Sequence, residues 1–160
     1  MRKTRIAVAF LYILAVVFLS GACDNIFGPS ASATPAEIER EIFRLVNDHR
    51  RSIGKSDLVW NETIAGVARS HSRDMADGTV PFGHDGYNDR WALIGQTIPW
   101  QSAAEVVALS GSAADAVNAW IGSAEHRVYI EGDYDLTGVG VAKSTSGSNF
   151  YATQIFIKPR

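Results

Sequence analysis

The chain has 160 residues and a mass of 17.3 kDa, which is enough for one folded domain but not for two. Residues 23–160 carry 12 basic and 17 acidic side chains, a net charge of −5, so the chain lacks the basic surface that nucleic-acid binding requires. The single cysteine, Cys23, excludes an internal disulfide framework and any metal site built from several thiolates.

The first 22 residues are typical of an export signal. Basic residues precede an apolar run of about fourteen residues, Ile6 to Leu19, which is shorter than the roughly 20 helical residues that cross a bilayer. Small residues then lead to Cys23. This junction resembles a bacterial lipobox, although Leu19 lies one position farther from the cysteine than in the usual pattern.

The chain is therefore predicted to be a membrane-anchored lipoprotein of the bacterial cell envelope. Residues 1–22 form the signal peptide, and residues 23–34 comprise an acylated Cys23 and a tether rich in Ser, Ala, Gly and Pro. Residues 35–160 form the folded domain. Two alternatives stay open: an ordinary secretory signal cut after Ala22, which would release a secreted protein, and an uncleaved membrane helix.

Two helices are predicted in the first half of the folded domain. Thr34-Pro35-Ala36-Glu37 combines a helix cap, a proline at the first helical position and a capping-box acid, and apolar spacing continues the helix to about Ser52. The second helix runs from an N-cap at Asn61 to just before Gly78. His71 lies on its apolar face, either as a hydrogen-bonded core residue or as part of a site.

The second half is predicted to add one helix and a hairpin. Residues 79–112 are irregular, with a strand near Gly95–Trp100 and a helical turn near Ala104–Leu109. A third helix begins at Ser112, and two apolar strands, Thr137–Lys143 and Asn149–Ile157, flank a turn. Strands that are apolar on both sides are covered on both faces, so we expect helices to sandwich a small sheet in an α+β fold.

Two histidines stand out as candidates for chemistry. His84 lies between glycines and His126 follows Glu125 near the end of the third helix, and imidazole is the side chain that titrates closest to neutral pH. The two histidines are too far apart in the sequence for a local metal motif. Nucleophile-elbow, phosphate-loop and dinucleotide-binding motifs are absent from the sequence.

Several motifs, in order, resemble the CAP superfamily of cysteine-rich secretory, antigen-five and pathogenesis-related-one proteins, also called SCP domains, in a bacterial branch without disulfides. The resemblance covers about residues 36–159. The matching segments are Val46–Arg50, Leu58–Asn61, Ala68–Ala76, Phe82–His84, Ala119–Arg127, Thr137–Ala142 and Ala152–Phe156.

The resemblance implies a three-layer α-β-α sandwich with a cleft lined by two histidines and two acids. His84 and His126 match the histidines. Gln96 is the nearest match to the first acid, which would then be missing, and Asp115 matches the second, while Glu125 would restore a charge beside His126. Gln96 could instead hydrogen-bond only its loop, and Asp115 could be the acid of a capping box.

Three functions follow as hypotheses. The first is a binding module whose cleft takes a small ligand, a lipid or a metal ion, with zinc held by His84, His126 and Asp115. The second is a metal-dependent or His/acid hydrolase of the envelope, for which the missing acid counts against activity. The third is a scaffold with a vestigial cleft that contacts partners through exposed loop aromatics, Trp91 and Trp100.

Overall fold

The structure is a computed structural model that describes residues 33–160, so the predicted signal peptide, Cys23 and most of the tether lie outside the described residues. Helices and strands alternate irregularly along this part of the chain. The elements are α1 (Pro35–Ser52), β1 (Val59–Trp60), α2 (Glu62–Ala76), α3 (Tyr87–Gly95), β2 (Trp100–Ser110), α4 (Ala113–Gly122), α5 (Ala124–Ile130), β3 (Leu136–Lys143) and β4 (Phe150–Pro159).

The predicted helix starts are confirmed by their capping hydrogen bonds. The Glu37 backbone N–H donates to Thr34 Oγ1 at 3.3 Å, and the Thr34 N–H donates to the Glu37 carboxylate at 2.7 Å, which completes the capping box of α1. Asn61 and Ser112 cap α2 and α4 in the same way, each accepting from a backbone N–H three residues later.

The four strands form one mixed sheet in the order β1-β3-β4-β2, with β1 parallel to β3 and the other pairs antiparallel. Each face of the sheet carries its own apolar core. Side chains of α1 and α4, including Ile42 and Trp120, pack on one face, and side chains of α2 and α3, including Ile64 and Ile94, pack on the other. The predicted α+β fold with three α-β-α layers is confirmed.

Helix α2 approaches β3 so closely that only glycine fits between them. A Cβ atom at Gly138 would lie 2.2 Å from the backbone nitrogen of Ala65, and one at Gly140 would lie 2.0 Å from that of Arg69. Both distances are far below van der Waals contact, so the two glycines set the spacing between this helix and the sheet.

The Glu39 carboxylate accepts a backbone hydrogen bond at the edge of β3, where no neighbouring strand of the described residues is paired. Strand β1 pairs with only the first two residues of β3, and farther along the Val141 N–H donates instead to Glu39 Oε1 at 3.1 Å. Glu39 is buried on α1 and also binds the Arg69 guanidinium of α2, with Nη2 to Oε2 at 2.8 Å. This carboxylate therefore ties α1 and α2 to β3.

Two predictions within residues 79–112 are wrong. Ala104–Leu109 lies in the middle of strand β2, and Gly95–Trp100 covers the end of α3 and the turn that follows it. Alanine, glutamate and leucine favour a helix locally, but pairing with β4 from Ser102 to Ser110 outweighs that preference. Within this strand, Ala104 to Ala108 form a buried run.

We expect Gly140→Ala to lower the free energy of unfolding by about 3 kcal/mol, because the added methyl group overlaps the backbone of α2 and cannot be relieved by a side-chain rotation. Urea denaturation measures this loss. The control is Gly66→Ala on the exposed face of α2, where no atom lies within 4 Å and the change should stabilise by up to about 1 kcal/mol. An unchanged urea midpoint for Gly140→Ala would show that α2 does not pack against β3 as closely as described.

Candidate functional site

A buried carboxylate, Glu105 of β2, lies at the centre of the site. Its side chain is 2% exposed. It accepts from His84 Nδ1 at 2.9 Å, and the Arg90 guanidinium reaches both of its oxygens, with Nε to Oε2 at 2.7 Å and Nη2 to Oε1 at 2.6 Å. Because a carboxylate only accepts hydrogen bonds, His84 Nδ1 is the donor of this contact, and the ring presents Nε2 on its other side.

Glu105 stays ionised although it is buried. Burial alone would raise the pKa of its carboxyl, but the hydrogen bonds from His84 and Arg90 outweigh that effect and hold the pKa below the ordinary value. The bidentate contact with Arg90 also fixes the plane of the carboxylate. The His84 ring therefore has a rigid, charged partner on one side.

The loop that carries His84 is held by its backbone as well. His71 Nε2 of α2 donates to the Gly83 carbonyl at 2.8 Å, and Arg90 donates to the carbonyls of Asp85 at 2.7 Å and His84 at 3.3 Å. His71 is buried, and this desolvation lowers the pKa of its imidazole, which keeps the ring neutral at neutral pH. His71 thus positions the loop from beneath and does not line either pocket beside His84.

Two adjoining pockets open beside His84, and both are lined by His84 and Tyr129. The first has a volume of about 410 Å³ and the second about 490 Å³. We call the two together the His84 cleft. The first pocket is completed by Tyr87, Asn88, Trp91, Ala103, Ala104 and Glu105, and the second by Ala124, Glu125, His126 and Val128.

The structure brings together three of the five residues predicted for the site. His84, Glu125 and His126 line the second pocket. Gln96 is exposed just after α3, outside both pocket linings. Asp115 is also exposed outside both linings, and its carboxylate accepts from the Ser112 hydroxyl at 2.7 Å as part of the cap of α4.

The acid that faces His84 was missed because its strand was predicted as a helical turn. Gln96 lies elsewhere, and Glu105 is the carboxylate that the structure places beside His84. A signal for it was present in the sequence: Glu105 is the single charged residue between Arg90 and Asp115. A lone carboxylate in an apolar run is buried only when it has partners, and here it has Arg90 and His84.

The predicted zinc ligands do not assemble. Among residues 33–160, no group of three or more His, Cys, Asp or Glu side chains is arranged to hold a metal ion. Asp115 lies outside the pocket that His84 shares with His126, and Glu105 is already bound by Arg90. The described residues therefore do not fit a zinc site with three protein ligands.

The predicted partner-binding aromatics are not exposed loop residues. Trp91 lies on α3 and Trp100 begins β2, and both are half-buried against each other with ring centroids 6.2 Å apart. The Trp100 indole N–H donates to the Trp91 carbonyl at 3.0 Å. The Trp91 indole N–H is buried without a hydrogen-bond partner among the described residues, so the wall of the first pocket retains an unsatisfied donor.

Comparison with known proteins agrees with the observed fold. Residues 43–156 match the family described as "CAP: Cysteine-rich secretory protein family". The chain belongs to this family. The predicted resemblance is confirmed at this level, and the domain is a CAP, or SCP, domain.

Relatives of this CAP domain occur in bacteria. The chain is 34% identical over 129 residues to the uncharacterized membrane protein YlbC of Bacillus subtilis, covering 75% of this chain and 34% of YlbC. It is similar to an extracellular SCP-domain protein of Bacillus anthracis, at 29% identity and a TM-score of 0.65, covering 81% of this chain and 45% of that one. It therefore spans less than half of either protein.

The fold is also similar to that of an outer surface protein of Borrelia burgdorferi, with a TM-score of 0.68 and 19% identity. That match covers 80% of this chain and 97% of the Borrelia chain. Within residues 33–160, no helix has the length and apolar character needed to cross a membrane.

We expect Glu105→Gln to lower the free energy of unfolding by about 3–5 kcal/mol at neutral pH, because it leaves the Arg90 guanidinium buried without a counter-charge. The pH dependence provides the second measurement. Since folding lowers the pKa of Glu105, its stabilisation is present above the unfolded value of 4.5 and is lost as pH falls through the folded pKa. The variant should lose less stability over that range than the parent.

The matched control for this substitution is Glu125→Gln, which removes an exposed carboxylate from the same cleft. Its free energy of unfolding should stay within about 0.5 kcal/mol of the parent. If both glutamine variants unfold at the same urea concentration, the buried ion pair does not organise the site.

Proposed function

We propose that the protein is a lipid-anchored, extracytoplasmic CAP domain that binds a small ligand in the His84 cleft. One observation carries this proposal. The buried Glu105–Arg90 pair orients His84 so that its Nε2 is left for a ligand, at the junction of two pockets. Both pocket volumes fall in the usual range for small-molecule sites.

The energetics of the buried cluster favour a functional role. An ion pair removed from water contributes little net stability, and an apolar pair of similar size often stabilises a core more. Glu105 and Arg90 are both largely removed from water, and both bind the loop of His84. Charged groups arranged around one half-exposed imidazole are characteristic of sites in which that ring is held ready for a ligand.

The envelope location is supported by the N-terminal sequence and by the relatives. The small-residue junction before Cys23 predicts acylation, and several acyl chains give stable membrane attachment where one does not. Relatives include an extracellular protein of Bacillus anthracis, an outer surface protein of Borrelia burgdorferi and a membrane protein of Bacillus subtilis. The membrane would thus be the partner of the N-terminus, and the cleft would face the envelope or its exterior.

A hydrolase is the second candidate, and Glu105 favours it. An imidazole whose Nδ1–H is held by a carboxylate can take a proton from water at Nε2, which is the arrangement of a general base and its orienting acid. In this proposal Glu105 supplies the acid whose absence from the matched motif counts against catalysis. In this case Glu105→Gln should abolish hydrolysis of an envelope substrate, whereas a change at exposed Gln96 should not affect it.

Ligand binding can be tested by thermal denaturation of the mature protein against separate classes of envelope constituents: glycan fragments, stem peptides and lipid headgroups. We expect at least one class to raise the melting temperature of the parent and not that of His84→Ala. Gln96→Ala, an exposed change outside both pockets, is the control and should respond like the parent. A rise that persists in His84→Ala, or no rise with any class, would refute a ligand site at this cleft.

Anchoring can be tested at Cys23. Mass spectrometry of the mature N-terminus should find an acylated cysteine, and Cys23→Ser should move the protein from the membrane fraction to the soluble fraction. Ser20→Ala, a small-to-small change three residues before the cysteine, is the control and should leave the protein in the membrane. An unmodified N-terminus beginning at Cys23 would instead favour the secreted alternative.

A further inference from the structure

The lining of the His84 cleft indicates the chemical class of its ligand. We infer that the cleft binds an uncharged glycan with at least two acetamido-sugar units lying across His84, an inference that rests on the proposed function of this cleft. The shape of the cleft, its charge, its aromatic walls and its polar groups support this class in turn.

The shape of the cleft fits an elongated ligand. Its two pockets have similar volumes, about 410 and 490 Å³, and they meet where His84 and Tyr129 contribute to both linings. A single small ring would fill one pocket and leave the other to solvent. A ligand that uses both pockets is therefore a short chain whose linkage passes over the imidazole.

The charges of the lining disfavour an anionic ligand. Of the residues that the structure describes, no Lys or Arg lines either pocket, whereas Glu105 and Glu125 do. Arg90 lies behind Glu105, and its guanidinium donates to that carboxylate and to two backbone carbonyls. A phosphate or carboxylate would meet two carboxylates and no Lys or Arg in the lining, so phospholipid headgroups and nucleotides are disfavoured.

Aromatic side chains form the walls of the first pocket. Tyr87 and Tyr129 are 41% and 40% exposed, and Trp91 packs against Tyr87 with ring centroids 4.7 Å apart. Flat apolar faces beside polar groups suit a pyranose, which has a C–H face and a hydroxyl edge. An acyl chain suits them less well, because it would cover His84 and Glu105 without hydrogen-bonding to them.

The remaining polar groups match the substituents of an acetamido sugar. His84 Nε2 can accept from a sugar hydroxyl, and the Asn88 amide can both donate and accept. In the second pocket, the exposed Glu125 carboxylate can accept from an acetamido N–H, while Ala124 and Val128 offer an apolar contact to its methyl group. This pairing of an acceptor with a small apolar surface distinguishes an acetamido sugar from an unsubstituted one.

The test is titration of the mature protein with chitotriose, a neutral trimer of β-1,4-linked N-acetylglucosamine, followed by tryptophan fluorescence and calorimetry. We expect chitotriose to bind at least about tenfold more tightly than free N-acetylglucosamine and than cellotriose, which lacks the acetamido groups. Tyr129→Ala, which removes an exposed ring shared by both pockets, should weaken the binding by about tenfold or more.

The control is Leu109→Ala, which truncates an exposed apolar side chain outside both pockets and should bind chitotriose like the parent. No binding of chitotriose, equal affinity for cellotriose, or full affinity in Tyr129→Ala would overturn the inference. If a stem peptide binds instead and His84→Ala abolishes that binding, the glycan is refuted and the proposed ligand site stands. If nothing depends on His84, both fail.

Discussion

The ion pair between Glu105 and Arg90 is the constraint on which the site depends. It lies where the middle of β2 passes beneath the loop before α3, and it converts a buried carboxylate into a fixed hydrogen-bond acceptor for His84. Arg90 also binds two carbonyls of that loop. One guanidinium therefore holds both the Glu105 carboxylate and the backbone of His84, whose ring Glu105 orients. A buried charge of either sign alone would be costly, and each therefore depends on the other.

Helices from distant parts of the chain hold the residues around this ion pair in place. Helix α2 places His71 beneath the loop, and α2 is in turn held against β3 by the close approach at Gly138 and Gly140. On the far side of the cleft, α5 presents His126 and Tyr129. The loop after α5 is fixed by the buried Arg50 guanidinium of α1, whose Nη1 donates to the carbonyls of Ile130 at 2.7 Å and Gly132 at 3.0 Å.

The sequence predicted local structure well wherever a cap or a turn dictates it. The starts of α1, α2 and α4, the hairpin of β3 and β4, and the layered fold could all be derived from caps and apolar spacing. The same reasoning failed for β2, because its helix-favouring composition is outweighed by pairing with β4, a strand far along the chain. Glu105 was missed because it lies on β2. Gln96 and Asp115 were selected by their position in a motif, and both are exposed and outside both pockets.

The contact of the α1 residue Glu39 with the edge of β3 has a consequence for the behaviour of the protein at high concentration. A strand whose edge is left open offers unpaired amides to the same strand of another molecule, and sheets that join in this way aggregate. Because β1 covers only two residues of β3, the N–H of Val141 would be such an open position, and Glu39 occupies it with an acceptor from the same chain. A buried acid outside both pocket linings thus removes one backbone donor through which two copies could join edge to edge.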